Sequence, residues 1–196
     1  MPRTGPGRID KEPVMKSYRW IPEDGPGMEH LALRQEGYMI IAQGVVIGGR
    51  FGADYGASYT IRCDAAWRVR HARVEVAGGG VLELFADGQG AWRGVDGAPI
   101  EELAGCIDID LTASCFTNTL PIRRLGNALD ERQAIDVAYV RIPELTVEKA
   151  GQAYSRLGAN RYRYEGVANG FQAELEVDED GLVVRLSLIH ISQPTR

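Results

Sequence analysis

Five residue pairs, Asp24-Gly25, Asp87-Gly88, Asp96-Gly97, Asn169-Gly170 and Asp180-Gly181, restrict this chain more than any other feature. Asp, Asn and Gly tolerate the positive φ of tight hairpin turns, and several of these pairs separate segments in which apolar and polar residues alternate. The clearest segment covers residues 171–177. Phe171, Ala173, Leu175 and Val177 point one way while Gln172, Glu174 and Glu176 point the other, the pattern of a half-buried strand in an antiparallel sheet. Further strands are expected at 38–47, 58–63, 67–76, 81–85, 107–111, 135–142, 161–165 and 182–185. Helix is scarce: residues 100–103 suit one turn, and the helix formers of 147–157 are weakened by Gly151. Pro121 and Pro143 read as strand starts or edges. The pattern predicts a mainly β chain, a single strongly curved antiparallel sheet or half-barrel with an apolar concave face and few short helices.

One segment departs from that pattern. In GCIDIDLTASCFTNTLPIRRL, residues 105–125, Ile107, Ile109 and Leu111 alternate with Asp108 and Asp110, so a strand sends two carboxylates to one face. Polar groups beside a core need partners. Thr112, Thr117, Asn118, Thr119, Arg123 and Arg124 follow closely enough to supply them, so the segment is either a satisfied structural network or a site.

Composition narrows the function classes. The chain has 196 residues, 44% hydrophobic and 25% charged, the range of an ordinary globular domain with a sizeable core. Its net charge of −5 argues against nucleic acid as a partner, because a phosphate-backbone binder needs a basic face. Three cysteines, Cys63, Cys106 and Cys115, show no CxxC spacing and read as reduced, semi-buried thiols. No apolar run is long enough for a membrane span. Residues 1–16 read as a disordered leader without the apolar middle of a secretory signal, so a cytoplasmic location is expected. No cofactor is expected either: in Gly44-Val-Val-Ile-Gly-Gly no Lys-Ser or Lys-Thr follows, as a phosphate-binding loop requires.

The 105–125 segment, with DGQGAW (87–92), YVRIPELTV (139–147), YRYEG (162–166) and GFQAELEVDEDGLVV (170–184), resembles the bacterial putative glycolipid-binding protein family. The likeness covers about residues 20–184. It implies a lipid or glycolipid partner and a fold like that of the carriers that shuttle lipoproteins across the bacterial envelope. Residues 186–196, LSLIHISQPTR, resemble translated sequencing adapter and are expected to be a non-native tail, which leaves 17–185 as the binding domain.

A large curled sheet hides its apolar face by closing on side chains or by curling around a ligand. Trp92, Tyr139, Tyr154, Tyr162, Tyr164 and Phe171 are candidates for a cavity wall, and each also reads as ordinary core. An acyl tail gains about 0.8 kcal/mol per buried CH₂ whereas a sugar hydrogen bond nets about 1 kcal/mol, so tails set affinity and head groups set selectivity. In that division Asp108, Asp110, Thr117, Asn118, Arg123 and Arg124 face the head group, with Trp92 stacked on a sugar ring.

Two other readings compete with non-catalytic binding. Asp108 and Asp110 stand about 6–7 Å apart on a strand, a separation that overlaps that of inverting glycosidases. An acid and a base must flank the scissile bond from opposite sides, however, and same-face neighbours on one strand do not. Ser58 lacks a G-x-S-x-G elbow, and its only histidine candidates are His30 and His71. A protein-interaction module using a sheet edge is the third reading. The sequence leaves the oligomeric state open.

Overall fold

The computed structural model describes residues 15–22, 26–50, 53–168 and 170–188. The first half of the chain is a seven-stranded meander in chain order: β1 (Met15–Trp20), β2 (Gly27–Glu36), β3 (Met39–Arg50), β4 (Ala53–Cys63), β5 (Val69–Val76), β6 (Val81–Ala86) and β7 (Trp92–Arg93). The second half forms a six-stranded sheet from β8 (Asp108–Leu111), β9 (Gln133–Val140), β10 (Val147–Gly158), β11 (Arg161–Gly166), β12 (Gln172–Val177) and β13 (Val183–Leu188). All of its pairings are antiparallel except β8 with β9, between which lies the one α-helix among the described residues, α1 (Thr119–Leu125).

The mainly β, antiparallel, helix-poor architecture expected from the sequence is present, but its strands form two sheets instead of one. The reason is burial. Leu31, Ile61, Val69, Val74 and Leu84 line the apolar face of the first sheet, and Ile109, Leu111, Ala138 and Val140 from the second sheet pack against it in one core. A second sheet, not a ligand, covers that face. At the other margin β1 meets β13, where Trp20 donates its indole N–H to the Val183 carbonyl at 3.1 Å and the Tyr18 hydroxyl donates to Asp178 at 3.2 Å.

Trp92 corrects one sequence-based expectation. It is fully buried in the shared core and donates Nε1–H to the Cys106 carbonyl at 2.7 Å, which leaves no ring face for a sugar. Two further corrections concern backbone type. Residues 147–157, rich in helix formers, are strand β10, because Gly151 and the neighbouring strands favour extended pairing. Pro121 lies in the first turn of α1, where its missing N–H has no intrahelical acceptor in any case.

The strand expected at 182–185 extends into the first three residues of the expected tail. Leu186, Ser187 and Leu188 pair with Leu175, Glu174 and Ala173 as the end of β13. Of the expected leader, residues 15 and 16 belong to β1, and residues 1–14 and 189–196 lie outside the described residues. No helix among the described residues is long and apolar enough to cross a membrane.

One buried polar bridge joins the sheets. Glu29 on β2 accepts hydrogen bonds from the Tyr59 hydroxyl and the Ser114 hydroxyl, each at 2.5 Å, and from the Cys115 amide at 3.1 Å. Tyr59 reaches Glu29 by lying across Gly44, where a Cβ would sit only 2.1 Å from its ring. Glycine at 44 is therefore a requirement of the bridge, not of a turn.

Candidate functional site

The alternation of β8 sends Ile109 and Leu111 into the shared core and Asp108 and Asp110 to the opposite face of the second sheet. In register with them on that face stand Val137 and Tyr139 of β9. Gln152 and Tyr154 of β10, Tyr162 and Tyr164 of β11, and Ala173, Leu175 and Val177 of β12 share it. Asp110 on β8 bonds Gln152 on β10, two strands away, so the sheet curls and this face is concave. Eleven of the twelve residues singled out from the sequence belong to this face or to the segment 116–125 that covers it; the exception is Trp92.

The hollow is largely filled by protein. Ile122 and Leu125 of α1 and Leu129 of the 3-10 turn Gly126–Asp130 pack on Tyr154, Tyr162, Leu175, Val177 and Val183. Thr119 at the start of α1 accepts the Val183 amide at 3.0 Å, and Gly126 ends the helix with φ of 54°, a conformation that suits glycine. Tyr154 and Tyr162 are thus core residues, the latter also covered by the Arg156 guanidinium 5.3 Å from its ring centroid.

Asp108 is sealed. It is 0% exposed, and Arg124 grips both of its oxygens, with Nε 3.1 Å from each and the terminal nitrogen 2.5 Å from Oδ2. Burial pushes its carboxyl above the ordinary range while Arg124 opposes that push. A forked ion pair whose carboxylate has no solvent access is a structural clamp between β8 and α1, so Asp108 and Arg124 are removed from the head-group set. Arg123 is removed as well. It points the other way, its guanidinium 5.1 Å from the Trp67 ring centroid and hydrogen bonded to the Asp180 carbonyl in the β12–β13 turn.

Asp110 has a different environment. Thr117 donates to its Oδ1 at 2.8 Å and Gln152 to its Oδ2 at 2.6 Å. The Tyr154 hydroxyl lies 3.1 Å from Gln152 Oε1 and 2.9 Å from Asn118 Oδ1, sharing its one proton between them. Burial raises the Asp110 carboxyl and the two neutral donors oppose it. Tyr164 packs edge-on against Tyr154 at 5.4 Å and against Phe171 at 5.8 Å. Burial first, and the Asp110 charge second, hold the Tyr164 phenol well above its ordinary range, so it stays protonated. Asp110, Tyr139 and Tyr164 are half-buried and Phe171 is 36% exposed, so the open part of the concave face is a carboxylate bordered by aromatic rings.

Gln152 was not anticipated, since it lies in the stretch that reads as weak helix; the alternation of Gln152 and Tyr154 about Ala153 was the available signal. Glu29, Tyr59 and Ser114 were missed for a different reason, as partners 30 and 85 residues apart leave no local pattern. Ser58 and His30 do line one shallow groove of about 370 Å³ on the solvent face of the first sheet, but Val45 stands between them in the register. His71 lies 2.8 Å from Glu83 on that same face. No group of three or more His, Cys, Asp or Glu side chains among the described residues is placed to hold a metal ion.

These features define a class: a two-sheet β protein whose second sheet curls over a polar, tyrosine-rich cluster closed by one short helix. The chain belongs to the family described as putative glycolipid-binding, whose model matches residues 17–189. It is also similar to the crystal structure of a DUF1089 family protein from Pseudomonas aeruginosa, with 37% sequence identity and a TM-score of 0.70 over 94% of this chain and 96% of that one. No curated protein matches it.

Proposed function

We propose that the chain binds a glycolipid without transforming it, holding the head group at the open end of the concave face. The observation that carries this reading is the Asp110 cluster. The half-buried Asp110 carboxylate and the Tyr139 and Tyr164 phenols offer acceptors and donors for sugar hydroxyls, Gln152, Tyr154 and Asn118 form the buried network behind the carboxylate, and the partly exposed rings of Tyr164 and Phe171 suit the apolar face of a sugar. Phe171, 36% exposed beside the β11–β12 hairpin, is where the tail begins its contact. The family description supports the ligand class.

The state of Asp108 favours binding over hydrolysis. With both oxygens held by Arg124 and no exposure, it cannot exchange a proton with a substrate, so the paired-carboxylate mechanism loses one of its two members. Native mass spectrometry of the intact protein purified from cells tests the reading. Lipid-sized adducts that are lost on delipidation and restored by adding back the extract are expected. A clean polypeptide mass that the extract does not alter would count against carriage of any lipid.

A further inference from the structure

We propose that the head group selected at this site carries a protonated amine, as an amino sugar does, in preference to a neutral or acidic sugar. The inference rests on the glycolipid reading and concerns which member of that class fits. Asp110 is the unmatched charge of the concave face: its partners are a hydroxyl and an amide, both neutral, and no Lys, Arg or His forms an ion pair with it among the described residues. Asp108, two residues earlier on the same face, takes the whole fork of Arg124. Arg141 is the cation nearest in register. It lies on the Tyr139 ring, 5.3 Å from the centroid, and spends its charge on Glu148 at 2.6 Å.

The rings around Asp110 reinforce the same sign. Aromatic faces carry negative potential, so Tyr164, close enough to feel the Asp110 charge and packed edge-on against Phe171 at 5.8 Å, adds to a setting that attracts a cation and repels an anion. An ammonium has three donors and no acceptor, which suits the half-buried Asp110 carboxylate. A phosphate or carboxylate on the head group would meet the Asp110 charge with no ion-pairing cation on it among the described residues.

The test uses the full chain, isotopically labelled, titrated by NMR with D-glucosamine, D-glucose and D-glucuronate. Glucosamine is expected to bind about tenfold more tightly than glucose, the scale of a partly desolvated cation–aromatic and carboxylate contact, with glucuronate weakest. Asp110→Asn should bring glucosamine to within about twofold of glucose, since the amide keeps the shape and removes the charge. Phe171→Lys, at a rim position outside the buried network, should shift the preference toward glucuronate, and it decides the matter if Asp110→Asn does not fold. Glucuronate binding as tightly as glucosamine, or a preference for glucosamine that both variants leave intact, overturns the proposal. Lipid adducts in the native mass spectrum combined with no amine preference overturn it alone; a clean mass together with no binding of any of the three sugars overturns the parent reading as well.

Discussion

At the residue scale, the polar side chains of this protein divide by whether a cation answers them. Asp108 is answered. Removing Arg124 by Arg124→Leu leaves an ionised carboxylate without solvent or partner, and such breakage costs about 3–5 kcal/mol, measurable by chemical denaturation at neutral pH. Glu29 is not answered by a cation, only by Tyr59, Ser114 and a backbone amide. Burial raises its folded-state pKa above the ordinary 4.5, so folding binds a proton and Glu29 adds stability below 4.5 that is lost as pH rises through the higher, folded value. Tyr59→Phe removes one of the donors that hold the ionised form, and is expected to cost about 1–3 kcal/mol at pH 7. The cost should shrink near pH 4, where Glu29 is protonated with or without Tyr59. A penalty that is the same at both pH values would mean that the loss reflects the contact of the hydroxyl with Ser114, at 3.2 Å, and not the charge of the carboxylate.

At the scale of elements, β13 is the strand whose extent the sequence disguised, since alternation predicts it only over 182–185 and it runs to Leu188. Its last three residues pair with β12, and Leu186 packs on the cluster that contains Tyr154 and Leu175. A chain ending at Arg185 loses those ladder hydrogen bonds, worth about 1 kcal/mol each, together with the half-buried leucine, so its stability in urea should fall by more than about 2 kcal/mol. An unchanged midpoint would show that the edge contributes nothing. Period-two alternation made β12 legible, because one of its faces is core and the other is wet. The same rule failed for β10, where Ala153 and Tyr154 are both buried since the two faces of this strand meet different cores. Helix α1 was hidden by Pro121, which reads as a strand edge until its place in a first turn is known. The carboxylates of β8 were found from alternation alone, but nothing local distinguishes the sealed Asp108 from the half-open Asp110; their partners lie 16 and 42 residues away, at Arg124 and Gln152.

For the whole molecule, the decisive contacts are those between sheets, since neither sheet buries both of its faces alone. One core includes Leu31 and Ile61 of the first sheet together with Leu111 and Val140 of the second, and Trp20 joins it at the opposite margin from β8. Unfolding either sheet therefore exposes the other, and the chain should lose its structure as one cooperative unit. Trp20 tests this because its ring fills the shared core while its N–H ties β1 to the Val183 carbonyl on β13. Trp20→Ala removes both, at about 3–5 kcal/mol, and Trp20→Phe keeps most of the apolar volume while stranding the carbonyl, at about 1–3 kcal/mol. Native-state hydrogen exchange then reports where the loss is felt. Faster exchange by a common factor in the central strands β3 and β10, one from each sheet, is the expected result; acceleration confined to β1 and β2, with β10 unchanged, would show that the two sheets open independently.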